Sequence, residues 1–172
     1  MCKPDSLRLA GVIRESIVDG PGFRFAIFCQ GCPHCCPECH NPDTWDFNGG
    51  RDTSFEKILN AIDQNPLLQG VTFSGGEPFC QAAAFAALAD EIKSRNLDIV
   101  TFTGYTLEQL REMAKENPAV GDLLDKTDLL IDGPFIKEEK DLTLQFRGSR
   151  NQRIIDMKAT GNAEIPVLWE QK

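Results

Sequence analysis

Apolar residues recur at two different spacings along the chain, and these spacings predict both strands and helices. Two β-like runs at 7–17 and 23–29 are separated by Asp-Gly-Pro-Gly, a sequence typical of a turn. A capping box at 53–56 then precedes apolar residues at helical spacing. The first third of the sequence therefore predicts a strand pair followed by a helix.

The remainder of the chain alternates strands with helices. Short apolar strands near residues 72, 100 and 130 recur at intervals of roughly 27 to 30 residues, with helical segments between them. Such alternation predicts βα units and a mostly parallel sheet. Four or five units would not close an eight-stranded barrel, so we expect one α/β domain over 1–172 with a partial, open β/α barrel.

Loops rich in glycine and polar residues follow the predicted strands directly. Active residues in parallel α/β folds lie at the carboxyl ends of the strands. We therefore expect these loops to meet on one face of the sheet. They are the cysteine loop after residue 29, Gly75-Gly76-Glu77, Thr103-Gly104-Tyr105 and Asp132-Gly133-Pro134.

Composition and charge narrow the classes of function. The 172 residues are 41% hydrophobic and 26% charged, which is typical of a globular protein. A formal net charge of −8 argues against nucleic-acid binding as the main function. No secretory signal is visible, and the most apolar run, 82–89, is too short to span a bilayer. We therefore expect a cytoplasmic protein with no membrane partner.

The cysteines carry the strongest chemical signal. Five of the seven lie between residues 29 and 39, and bunched cysteines in a chain without a secretory signal indicate metal ligands or redox groups. Cys32, Cys36 and Cys39 have the spacing C-x3-C-x2-C, which can hold three irons of a 4Fe-4S cluster and leave the fourth iron open to a ligand.

The same stretch also matches C-x2-C-C-x2-C, so a structural zinc site is the alternative. Two observations weigh against zinc. The adjacent Cys35 and Cys36 cannot easily both point at one tetrahedral centre, and the sequence offers no distant second cysteine pair of the kind that zinc ribbons use.

The Gly75-Gly76-Glu77 turn is ambiguous by itself. Its glycines are equally expected in an ordinary strand-to-helix turn and in a loop whose backbone approaches a small ligand. In the second interpretation Glu77 would receive a cationic group such as an amine. A cysteine cluster about forty residues upstream favours that interpretation.

Together the two motifs resemble the radical S-adenosylmethionine superfamily. More narrowly, the chain resembles the family of anaerobic ribonucleoside-triphosphate reductase activating proteins, in order from about residue 18 to residue 155. The motifs that carry this resemblance are Asp19-Gly20-Pro21-Gly22, Gly31-Cys32, Cys39-His40-Asn41-Pro42-Asp43-Thr44-Trp45, Ser74-Gly75-Gly76-Glu77-Pro78, Thr103-Gly104-Tyr105, Ile131-Asp132-Gly133-Pro134-Phe135 and Arg147-Gly148-Ser149-Arg150-Asn151-Gln152-Arg153.

The resemblance implies two cofactors. Cys32, Cys36 and Cys39 would ligate a 4Fe-4S cluster, and the methionine amino and carboxylate groups of S-adenosylmethionine would chelate the open iron. Two further sets would line that ligand: Gly75, Gly76 and Glu77 at the methionine end, and Glu38, Cys39 and His40 at the nucleoside. The sequence departs from the superfamily pattern at Glu38, where many members have an aromatic residue, and His40 is the substitute stacking surface.

Two threonines and a basic segment complete the candidate site. Thr101 and Thr103 stand where a strand end could reach the ribose, although both are equally expected as turn residues. The segment 147–153 could bind the ligand carboxylate or a partner protein. Trp45 is expected to pack behind the cysteine loop.

The resemblance also implies a reaction. A reduced cluster would cleave S-adenosylmethionine to a 5′-deoxyadenosyl radical, which would generate a glycyl radical on the large subunit of the anaerobic reductase. Beyond the cluster and the cofactor, no catalytic side chain is required. A flavodoxin-like or dithiol protein would supply the electron. The alternatives are a radical enzyme that acts on another target and a small zinc-binding interaction module that is not an enzyme.

Overall fold

The computed structural model describes residues 3–171, so Cys2 lies outside the described residues. Within that range the chain forms seven strands and five α-helices. The strands are β1 (Ser6–Ser16), β2 (Arg24–Cys29), β3 (Arg51–Ser54), β4 (Gly70–Gly75), β5 (Asp98–Phe102), β6 (Leu129–Asp132) and β7 (Arg153–Asp156). The helices are α1 (Phe55–Asp63), α2 (Ala82–Lys93), α3 (Leu107–Glu116), α4 (Pro118–Lys126) and α5 (Met157–Thr160).

All seven strands form one open sheet in the order β3-β1-β2-β4-β5-β6-β7. The central strands β2, β4, β5 and β6 pair in parallel, whereas β1 and β7 run antiparallel to their neighbours. Because β3 is antiparallel to β1, it points in the same direction as the centre. The prediction of an open, mostly parallel α/β sheet is confirmed, and the two antiparallel edges are what the sequence pattern did not indicate.

Helix boundaries follow capping side chains. A capping box formed by Thr106 and Gln109 begins α3. The box predicted at 53–56 is wrong by one residue, because Ser54 caps α1 by accepting from the amide of Lys57 at 3.2 Å. Pro118 both ends α3 and begins α4, since its fixed φ suits the first turn of a helix. No helix within residues 3–171 is long and apolar enough to cross a membrane.

Alternate residues of the central strands face opposite sides of the sheet. Phe25, Val71, Phe73 and Ile99 belong to the large apolar core that packs against the helices, and the rings of Phe73 and Phe85 (in α2) are 4.6 Å apart. Residues of the other parity face a second, smaller cluster and a cavity. Alternate residues along each strand therefore face either the packed core or the cavity.

Two further motif segments have structural roles. Arg24 follows the Asp-Gly-Pro-Gly turn and is fully buried. Its guanidinium donates to the carbonyls of Pro21 and Val71 at 2.9 Å each. It also forms an ion pair with Asp98 at 2.5 Å. It thereby fixes the turn to the amino-terminal ends of the parallel strands. At the other end of the chain, the amide of Trp169 donates to the carbonyl of Ile154, so this tail is a packed extension rather than a long strand.

Candidate functional site

The principal cavity lies on the face of the sheet that the helices leave uncovered, and it has a volume of about 650 Å³. All four expected loops contribute to its wall, through Cys32, Gly75, Gly76, Thr103 and Gly133. The expectation that these loops meet on one face of the sheet is confirmed. A fifth segment, 141–152, covers the cavity from the carboxyl-terminal part of the chain.

The cysteines separate into two groups. Cys32, Cys36 and Cys39 are half-buried and line the cavity. Cys35 is exposed, with a φ of +48°, and lies outside the cavity lining, and Cys29 is buried in the helix-facing core. The three cavity-facing residues are the C-x3-C-x2-C set.

This arrangement fits a 4Fe-4S cluster better than a zinc ion. In residues 3–171 no three His, Cys, Asp or Glu side chains are arranged to hold a single metal ion. A cluster needs its three thiolates on three different irons, whereas zinc requires four ligands converging on one point. Burial raises the pKa of Cys32 to about 11, so iron must displace a proton from that thiol on binding.

The cysteine loop is fixed by backbone hydrogen bonds from two directions. The amides of Gly31 and Cys32 donate to the carbonyls of Thr44 and Trp45 at 2.7 and 3.2 Å. On the opposite side, the carbonyl of Gly31 accepts from the amide of Glu77 at 2.8 Å. These hydrogen bonds hold the backbone of the loop from both sides.

The two glycines of the Gly-Gly-Glu turn are required by this close approach. Gly75 has a φ of +97°, and a Cβ at Gly76 would lie 2.3 Å from the carbonyl oxygen of Gly31. No other residue type could stand here without separating the turn from the cysteine loop. Both glycines also form part of the cavity wall.

The side chain of Glu77 lies outside the cavity wall. It is fully buried, and its carboxylate accepts from the amides of Phe79 and Gly104 and from the hydroxyl of Thr103. Nε2 of His34 lies 2.6 Å from the same carboxylate. Through these partners Glu77 joins three loops.

Two other expected cofactor contacts also lie outside the cavity wall. Glu38 has a φ of +57°, is exposed, and pairs with Lys137 at 3.0 Å, an interaction that lowers the pKa of Glu38. Thr101 is buried on the helix side, where its hydroxyl lies 2.9 Å from that of Thr127. Strand parity explains the second difference, because the neighbouring Phe102 faces the cavity instead.

His40 and Thr103 do line the cavity, as expected of ligand contacts. The ring of His40 meets that of Phe135 edge to face, with centroids 5.5 Å apart. Sequence reasoning missed Phe135 as a wall residue, and it also missed His34, whose imidazole packs on Tyr105 at 4.5 Å. The position of His34 between two ligand cysteines was the available signal.

Trp45 lies beside the cysteine loop. Its carbonyl accepts from the amide of Cys32, and the residue forms part of the cavity wall, as expected of a residue packed behind the loop. Its indole Nε1 is enclosed by protein atoms and has no acceptor within the described part of the chain.

Comparison with known proteins agrees with this site. The family described as "4Fe-4S single cluster domain" matches residues 18–155. The anaerobic ribonucleoside-triphosphate reductase-activating protein of Salmonella typhimurium is 36% identical over 144 residues, which are 79% of this chain and 90% of that protein. The pyruvate formate-lyase-activating enzyme of Clostridium pasteurianum is 35% identical over 124 residues, 69% of this chain and 51% of that protein.

Among solved structures, the crystal structure of QueE from Escherichia coli has a TM-score of 0.47 and 20% identity, over 59% of this chain and 54% of that one. The sequence matches carry the assignment, since one spans most of both chains and the family match includes the cysteine loop, the Gly-Gly-Glu turn and segment 141–152. The chain therefore belongs to the family of anaerobic ribonucleoside-triphosphate reductase-activating proteins, within the 4Fe-4S single cluster domains.

Proposed function

We propose that this protein is the radical S-adenosylmethionine activase of an anaerobic ribonucleoside-triphosphate reductase, and that Cys32, Cys36 and Cys39 hold its 4Fe-4S cluster. The observation that carries the proposal is the sorting of the cysteines. The three with the cluster spacing line one cavity together with Gly75 and Gly76, whereas the adjacent Cys35 lies outside it. When bound, the cluster and S-adenosylmethionine supply the one-electron reductive cleavage from which the target's glycyl radical arises.

The chain's own residues orient the ligand. Gly75 and Gly76 expose backbone at the end of β4 and offer room for the methionine end beside the cysteines. His40 and Phe135 present ring edges and faces on the same wall, which suits the flat nucleoside base. Glu77, bonded to His34 and Thr103, keeps the cysteine loop and the ends of β4 and β5 in register.

Arg147 is the residue that we assign to the ligand carboxylate. It lines the cavity, and its guanidinium reaches only the carbonyls of Gln145 and Gln152, at 3.4 and 3.3 Å. Among residues 3–171 it forms no ion pair, although the protein is acidic. An arginine that faces a cavity without an acidic partner is suited to an anionic group of a ligand.

The loop that carries Arg147 is rigidly built. The side chain of Gln152 accepts from the amides of Gly148 and Ser149 at 2.9 and 3.1 Å and donates to the carbonyl of Gly133. A Cβ at Gly148 would lie 2.9 Å from the ring of Phe135 and 3.4 Å from Nε2 of His40, so this loop packs against both side chains. Arg147 is thereby held at the cysteine end of the cavity.

The residues at the rim of the cavity favour a protein as the substrate. Ile17 and Val18 line it and are 72% and 70% exposed, and Leu142 on the covering segment is 85% exposed. Exposed aliphatic side chains at a cavity mouth suit a peptide segment that must enter it. A flavodoxin-like or dithiol electron donor, a cytoplasmic location and action as one domain over 1–172 complete the proposal.

The test is glycyl-radical formation under anaerobic conditions. The reconstituted protein, S-adenosylmethionine, a reductant and the purified reductase large subunit should yield a glycyl radical in the electron paramagnetic resonance spectrum. Cleavage of S-adenosylmethionine without any radical on the reductase would contradict the assigned target. Since a pyruvate formate-lyase-activating enzyme is also similar over 69% of the chain, that lyase is the alternative substrate to assay in parallel.

A further inference from the structure

Phe146 adopts a backbone conformation that bulky residues rarely accept. Its φ is +57°, in the left-handed region. A residue of this kind stays there only where its surroundings determine the conformation, and such residues often occur at ligand-binding segments. Phe146 directly precedes Arg147, the residue that we assign to the ligand carboxylate, and both line the cavity. The contact that holds Phe146 in place therefore also affects Arg147.

The stretch around Phe146 is hydrogen-bonded only locally. Within residues 3–171, the hydrogen bonds of residues 142–147 are all made inside segment 141–152. Side-chain packing therefore fixes this stretch against the sheet. Phe146 is its member that joins the smaller apolar cluster on the cavity side of the sheet, beside Ile131 and Ile154.

Trp169, from the carboxyl-terminal tail, packs against Phe146 in that cluster. The centroids of the two rings are 6.3 Å apart, and their planes are inclined by 52°. The tail is fixed to the edge strand β7, because the amide of Trp169 donates to the carbonyl of Ile154 and the carbonyl of Val167 accepts from the amide of Asp156, both at 2.9 Å. Trp169 is half-buried and is not among the residues that line the cavity. An effect of Trp169 on a bound ligand must therefore be indirect.

We propose that Trp169 holds Phe146 in its left-handed conformation and thereby keeps Arg147 in the cavity wall. Without that ring, Phe146 would relax to a negative φ, which would move the residues on either side of it. This inference rests on the proposed function, because it takes S-adenosylmethionine as the ligand whose carboxylate Arg147 binds. It makes Trp169 a positioning residue rather than a catalytic one, and it gives the carboxyl-terminal tail a role in ligand binding.

The experiment compares Trp169→Ala with Leu168→Ala in the reconstituted protein. Leu168 is a matched control, because it belongs to the same tail but is 55% exposed. Trp169→Ala should weaken binding of S-adenosylmethionine about 5- to 30-fold in a calorimetric titration, because one strained residue loses its support. Leu168→Ala should bind as the wild type does. Trp169→Phe keeps a ring and should restore most of the affinity.

A double-mutant cycle tests whether the effect passes through Arg147. In an Arg147→Ala background, Trp169→Ala should cause no further loss of affinity, because the side chain that it positions is absent. The inference would be overturned by an unchanged affinity in Trp169→Ala, by an equal loss in Leu168→Ala, or by additive losses in the double variant.

Trypsin digestion of the reconstituted protein without S-adenosylmethionine tests the support of the segment by itself. Cleavage after Arg147 should be faster in Trp169→Ala than in the wild type, whereas cleavage after Lys57, which is exposed on α1, should not change. If Trp169→Ala does not fold, Phe146→Leu removes the same ring pair from the other side and should show the same faster cleavage. Equal cleavage rates would refute the support. Faster cleavage in a protein whose wild type binds no S-adenosylmethionine would instead refute the proposed function.

Discussion

The two faces of the sheet are built by the same strands but from different kinds of residue. On the helix side, Phe25, Phe73 and Phe85 are at least 99% buried in a continuous apolar core. On the other side, Phe28, Ser74 and Phe102 line a cavity together with cysteines, glycines and histidines. A shift of one position along a strand therefore moves a residue from the stabilising face to the ligand-binding face. Substitutions on the two faces should accordingly differ in kind.

The largest expected effect separates two adjacent cysteines. Cys36→Ala removes a cavity-facing thiolate and should reduce the iron content from about four per chain to near zero. Cys35→Ala removes an exposed thiol and should leave the iron content unchanged. Anaerobic reconstitution followed by iron and sulfide analysis measures both. If Cys35→Ala lost the cluster while Cys36→Ala kept it, the assignment of ligands would be wrong.

A substitution on the packed face should instead affect stability. Phe85 is fully buried against Phe73, so Phe85→Ala should lower the free energy of unfolding by about 3–5 kcal/mol, through lost burial and a cavity. Denaturant titration of the metal-free protein gives this value. The fraction that remains folded should still take up a full complement of iron. If Phe85→Ala abolished iron binding without changing the free energy of unfolding, the distinction between the two faces would be wrong.

A substitution of Arg147 tests the cavity side of the sheet without changing a cysteine. Arg147→Ala should weaken binding of S-adenosylmethionine by roughly 10- to 100-fold, because a charge-assisted hydrogen bond contributes about 1.5–3 kcal/mol. Arg150→Ala is the matched control, since Arg150 is exposed and belongs to the same loop. Calorimetric titration of the reconstituted variants measures both affinities. Equal losses in the two variants would point to nonspecific electrostatics rather than to a carboxylate site.

The smallest effect is expected at Thr101. Thr101→Val removes the hydrogen bond to Thr127, whose hydroxyl still donates to the carbonyl of Leu123 at 2.8 Å, so stability should fall by less than about 1 kcal/mol. The affinity for S-adenosylmethionine should not change. Thr103→Val should be more harmful, because it removes a donor from the buried carboxylate of Glu77. A loss of affinity in Thr101→Val would restore the ribose contact that the sequence suggested.

The sequence pattern predicts the packed face well because burial imposes periodicity. Apolar spacing located the strands β4, β5 and β6 and the helical segments between them. Strand β3 was not predicted, because Arg-Asp-Thr-Ser has no apolar alternation and exists only through pairing with β1. Edge strands of this kind depend on a partner far away in sequence, which local periodicity cannot indicate.

The motifs predicted which cysteines line the cavity. The partners and directions of other side chains depended on contacts between residues far apart in sequence. The spacing of Cys32, Cys36 and Cys39 selected the residues that the structure places on one wall. The hydrogen-bond partners of Glu77 could not be predicted, because His34 and Thr103 lie 43 and 26 residues away in sequence. Glu38 points away from the cavity because its backbone φ is positive. A glutamate in the sequence does not predict that conformation.

The metal content of anaerobically prepared protein tests the central claim most directly. The account predicts a brown protein with about four irons and a matching amount of inorganic sulfide per chain, which cleaves S-adenosylmethionine when it is reduced. A colourless protein that holds one zinc ion tightly and does not cleave S-adenosylmethionine would contradict it, and would make the cysteine loop a structural metal site.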